Sequence, residues 1–140
     1  MRRITIVFLI FSCMLLCCGC ERQTVELPLT QSTDDIIKIQ MVDNRNDERN
    51  VVREITGDDL KTFIPDLLQL KCNSYMNDPA GEPGQYYVTI FYANGDTTLI
   101  GTSAFIYISS TGEYAWPYEK DYYVRKESME ELFEKYCKNE

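Results

Sequence analysis

The chain of 140 residues contains no histidine. That absence excludes a Ser-His-Asp triad, a Cys-His pair and a histidine-ligated zinc site built from this chain alone. Basic residues are the minority sign, 14 Lys and Arg against 22 Asp and Glu, for a formal charge of −8. A chain short of cations is not a nucleic-acid binder, because neutralisation of phosphates by Lys and Arg dominates that affinity. Long apolar runs are missing too. The longest, Ile4 to Cys18, spans 15 residues and is interrupted by Thr5 and Ser12, whereas a membrane-spanning helix needs about 20. No glycine-rich phosphate loop or nucleophile elbow occurs, and past residue 20 there is no C-x-x-C pair.

What is present begins with an address. Met1-Arg2-Arg3 is a short positive segment, the 15 apolar residues fit the upper end of a signal-peptide core, and no A-x-A-like cleavage site follows. Leu15-Leu16-Cys17-Cys18-Gly19-Cys20 then gives way at once to the polar Glu21-Arg22-Gln23-Thr24. This hexamer resembles the lipobox of bacterial lipoproteins, although Cys17 stands where the family prefers leucine. The resemblance implies that Gly19 is the small residue before the cut and that Cys20 is diacylated and becomes the new N-terminus. Two acyl chains anchor firmly where one is marginal, at about 0.8 kcal/mol per buried methylene. The bilayer is then a partner through Cys20, and the remaining chain lies outside the cell membrane. An uncleaved N-terminal helix, the rival reading, puts it on the same side. Without Arg2 and Arg3 the charge becomes −10.

The expected organisation is a leader over 1–19, a lipidated cysteine and flexible tether over 20–33, and one small domain over 34–140. The tether is polar, contains Pro28 and would span about 20 Å by random-coil scaling. Ile37, Ile39 and Met41 alternate on one strand face, and Val51 to Ile55 reads as its partner. Thr56 is a candidate N-cap for a helix whose stripe is Leu60, Phe63, Ile64, Leu67 and Leu68. Pro65 either kinks that helix or starts a new one. Residues 73–84 read as a loop. Tyr86 to Ala93 and Thr97 to Gly101 flank Asn94-Gly95, a hairpin signal that asks for positive φ at both central residues. Ala104 to Ser109 and Tyr122 to Arg125 read as further strands. Ser128-Met129-Glu130-Glu131 has the form of a capping box, and Met129, Leu132, Phe133, Tyr136 and Cys137 line one helix face. The order β-β-α-β-β-β-β-α implies an α+β domain, an antiparallel sheet with two helices on one face. A lipobox followed by such a domain is similar to small uncharacterised lipoproteins of Gram-positive bacteria, a resemblance that implies location and no activity.

Candidate sites are few. Cys72 and Cys137 are either a disulfide, which an exterior location permits, or two buried thiols. Tyr114, Trp116, Tyr118, Tyr122 and Tyr123 form an aromatic stretch suited to a protein or glycan surface, or else cover a sheet where tyrosine has high β-propensity. Asp43 to Glu48 has the outline of a calcium loop but places Arg45 at a ligand position and lacks the turn glycine, so it reads as a solvated turn. Glu130, Glu131 and Glu134 form a charged helix face. No cofactor or metal is implied. The sequence therefore predicts a lipid-anchored extracellular binding domain that is not an enzyme, the ligand being an envelope protein or a glycan. The alternative is an immunity or inhibitor-type lipoprotein whose acidic surface captures a cationic toxin or hydrolase.

Overall fold

The structure, a computed structural model, describes residues 24–45, 49–75, 84–115 and 121–137. Cys20 and the leader lie outside these residues, as do Trp116, Tyr118 and residues 46–48 of the calcium-like turn. Among the described residues, nine strands and two α-helices, with a short 3-10 turn at Thr33–Asp35, run in the order β1 (Thr24–Val25), β2 (Ile36–Asp43), β3 (Asn50–Thr56), α1 (Asp59–Leu68), β4 (Cys72–Tyr75), β5 (Tyr86–Tyr92), β6 (Thr97–Gly101), β7 (Phe105–Ile108), β8 (Tyr114–Ala115), β9 (Asp121–Val124) and α2 (Lys126–Cys137). The fold is α+β, with every pairing antiparallel. The strands make two sheets instead of the single one expected: six strands ordered β3-β2-β5-β6-β7-β8, and three ordered β1-β4-β9.

The register explains the core. Ile39 faces Ile55 and Ile90, Met41 faces Val88, and Val88 in turn faces Ile100, so these side chains share one face of the large sheet. Both helices lie on that face, where Leu60, Phe63 and Leu67 of α1 and Met129, Leu132 and Phe133 of α2 join the same buried cluster. The small sheet closes the cluster with Cys72 and Val124. Phe63 and Tyr136 meet edge to face at 4.7 Å, and Asp66 of α1 accepts from Lys135 and from the Tyr136 hydroxyl of α2. No helix among the described residues is long and apolar enough to cross a membrane.

Several local expectations are corrected. The segment 24–33 is no free tether: Val25, Leu27 and Leu29 alternate toward the core, and Leu27 is buried. Ile37 does not share a face with Ile39, because the ladder to β5 slips between Ile36 and Lys38. Ile36 takes the buried place and Ile37 is 55% exposed. Thr56 ends β3 and caps nothing; α1 starts after Asp58, which makes no side-chain cap bond, and Gly57 turns the chain at φ +58°. Pro65 sits inside one continuous α1. Ser128 is not a cap either. The helix starts two residues earlier, and the Ser128 hydroxyl accepts the Lys71 backbone N–H from the strand side at 3.1 Å. The hairpin turn is longer than Asn94-Gly95 alone. Gly95 donates to Tyr92 O and Tyr92 to Asp96 O, so Ala93-Asn94 form the turn centre and Gly95, at φ +90°, takes the left-handed position after it.

Candidate functional site

A concavity lies where the end of β2, the start of β5 and the last turns of α2 converge. Asp43 is the last residue of β2 and pairs with Tyr86, the first of β5. The chain then turns back on itself. The Asp43 carboxylate accepts the Arg45 backbone N–H at 3.0 Å and its guanidinium through Nε and Nη2, at 3.0 and 2.6 Å. This two-pronged contact is a geometry that guanidinium and carboxylate match well. It also lays the guanidinium carbon 4.9 Å from the centre of the Tyr86 ring.

The helix supplies the opposite wall. Glu130, Phe133, Glu134 and Cys137 recur at the three-and-four spacing that puts residues on one helix face. Phe133 meets Tyr86 at 4.9 Å between ring centres. A bulge in β3 completes the floor: Met41 pairs with Arg53 and Val42 with Val51, which leaves Val52 without a strand partner and turned toward the helix. Bulges re-aim side chains in this way. The resulting cavity has a volume of about 530 Å³. Val52, Tyr86, Phe133 and Cys137 form its apolar floor; Asp43, Arg45, Glu130 and Glu134 form its rim. Arg45 holds the Asp43 carboxyl below the ordinary range, chiefly through their hydrogen bonds, with burial opposing it. Lys126 stands 3.7 Å from Glu130 across one helical turn.

A second polar centre looks similar in composition and differs in construction. Asp96, buried at the β5–β6 turn, accepts Gln31 Nε2 at 2.6 Å, Asn94 Nδ2 at 2.8 Å, the Ser110 backbone N–H at 2.8 Å and the Tyr107 hydroxyl. These donors lower the Asp96 pKa, the Tyr107 hydroxyl most of all, and the same contact raises Tyr107. Each oxygen of Asp96 is already bonded by the protein, so the cluster works as a clamp joining three segments.

The residues singled out by sequence are dispersed. Cys72 and Cys137 are not bridged to each other. Cys72 lies in β4 between Val25 and Val124, donates weakly to Leu70 O, and has its thiol pushed up to about 12 by burial. Cys137 instead faces the Met41 sulfur at 3.8 Å. The two cysteines thus lie in different surroundings, Cys72 buried and Cys137 half-buried. Tyr114 is 79% exposed on β8 of the large sheet. Tyr122 and Tyr123 belong to β9 of the small sheet, on its opposite faces. Tyr122 packs on Phe105 at 6.0 Å and the Tyr123 hydroxyl accepts from Asn73. The described tyrosines thus divide between two sheets, with those of β9 engaged in packing and hydrogen bonding. Among the described residues no group of three or more Cys, Asp or Glu side chains is arranged to hold a metal ion.

The cavity was not visible in the sequence. Its helix wall reads there as a charged face and an apolar stripe, its Asp43-Arg45 rim as a turn, and nothing local connects them. Comparison with protein-family models, with curated proteins and with solved structures returns no match.

Proposed function

We propose that this chain is a lipoprotein anchored to the outer face of the cell membrane through Cys20, carrying a non-enzymatic binding domain. One observation supports the address: the apolar leader that ends in Gly19-Cys20 and turns polar at Glu21. The binding role is supported by the cavity at the end of α2. Its size falls in the range of ligand sites. Its best-held carboxyl, Asp43, is kept ionised by Arg45, whereas a general acid needs a pKa raised toward neutrality.

The second reading is an immunity or inhibitor-type lipoprotein that captures a cationic toxin or hydrolase. The charge of −10 past the leader and the acidic rim favour it. Mass spectrometry of the membrane-extracted protein tests the anchor: a diacylglyceryl group on Cys20 is expected, and an intact leader or unmodified sulfur overturns it. Crosslinking in intact cells then identifies the partner. Complexes that dissolve sharply with added salt select the second reading, since screening acts on exposed charge.

A further inference from the structure

We propose that the end of the domain formed by Thr24, Lys71 and Arg125 rests on the lipid headgroup layer. The cavity is thereby held off the bilayer and takes its ligand from the aqueous side. This orientation rests on the anchor at Cys20 and deepens the binding role of the cavity. Its basis is where the chain leaves the body. Thr24 opens β1 and pairs with Asn73 of β4. The Arg125 guanidinium donates to the Thr24 hydroxyl at 2.6 Å and to the Asn73 side-chain oxygen at 3.1 Å. The Arg125 backbone N–H donates to Lys71 O at 2.9 Å, and the Lys71 N–H to the Ser128 hydroxyl of α2 at 3.1 Å. Behind Thr24, Leu27 is buried and Val25 packs against the core. The point of departure is therefore fixed to the body, and β1 yields no slack.

Helix α2 starts beside this point and ends at the cavity. It runs for 12 residues from Lys126, about 18 Å by the helical rise. Three of the four cavity residues it supplies, Phe133, Glu134 and Cys137, lie in its second half. The four residue steps from Cys20 to Thr24 span about 11 Å as a random coil. A connection shorter than the helix keeps the Thr24 end down and the far end of α2 away from the lipid. Charge does not choose the face. Lys71, Arg125 and Lys126 stand there with Glu26, Glu127 and Glu131, and Lys126 is paired with Glu130. A layer of phosphate and ammonium groups accepts such a mixture.

The protein extracted from membranes and placed in phosphatidylcholine nanodiscs tests the orientation, with nitroxide on a fraction of the headgroups and amide NMR as the readout. The amides of Thr24, Asn73 and Arg125 are expected to broaden about fivefold or more beyond those of Val52, Tyr86 and Phe133, since most of a helix length separates the two groups. A Gly-Ser spacer of about twelve residues between Gln23 and Thr24 doubles the span of the connection to about 22 Å, past the length of α2. With it, the contrast is expected to fall below about twofold. Uniform broadening in the natural chain, strongest broadening at the cavity, or an undiminished contrast with the spacer overturns the proposal. Mass spectrometry of the same sample keeps the two proposals apart. An unmodified Cys20 sulfur removes the anchor and the orientation together; a diacylated Cys20 with uniform broadening removes the orientation alone.

Discussion

Asp43 and Asp96 each close a turn at the end of a strand pair, and each has its carboxyl held below the ordinary value of 3.8. They differ in what remains of them. Asp96 takes four donors from Gln31, Asn94, Tyr107 and Ser110, so that three separate segments meet on one carboxylate. Asp43 is held by Arg45 alone, beside a cavity with an aromatic floor and two further carboxylates. Saturation marks the first as structure, because a buried polar group with every partner inside the chain has nothing left to offer a ligand. Partial use beside an apolar concavity is the feature on which the proposed binding role rests.

The contrast can be broken experimentally, and the largest effect belongs to the cavity floor. Phe133→Ala should cost about 3 kcal/mol in urea unfolding, because the ring is buried against Tyr86 and the core; a loss under about 1 kcal/mol shows a loosely packed floor. Tyr107→Phe should cost about 1 kcal/mol by removing one donor from Asp96. An unchanged unfolding midpoint there sinks the clamp interpretation. Acid titration separates the two aspartates further. Both folded pKa values are depressed, so their stabilisation is complete above the unfolded value near 4 and disappears as pH falls through the folded values. Asp96→Asn should flatten that acid loss more than Asp43→Asn does; the reverse order ends the comparison.

Legibility followed the range of the interaction. The stripes are written in helical spacing: Leu60, Phe63, Leu67, Met129, Leu132 and Phe133 are buried as expected, whereas Ile64, Tyr136 and Cys137 are half-buried and Leu68, at the edge of the first stripe, is 41% exposed. The turn at Asn94-Gly95 was found for the same reason, although its centre is Ala93-Asn94 and Gly95, at φ +90°, follows it. Patterns that depend on a distant partner failed. Ser128 has the form of a cap, yet the Lys71 N–H claims its hydroxyl. Ile37 fits the alternation, yet a slipped register turns it out. The segment around Val25, Leu27 and Leu29 carried a period of two that its polar neighbours and Pro28 obscured. The cavity was the least legible part. It joins residues 43–45, 52 and 86 to residues 130–137, and only the strand register together with the seat of α2 brings them side by side.

Strand β1 begins at Thr24, and only Glu21, Arg22 and Gln23 separate it from Cys20. Fully stretched, four residue steps reach about 14 Å. Under the anchor proposed above, the body would be moored on a short leash at the headgroup layer. Its search for a partner would then be a two-dimensional one.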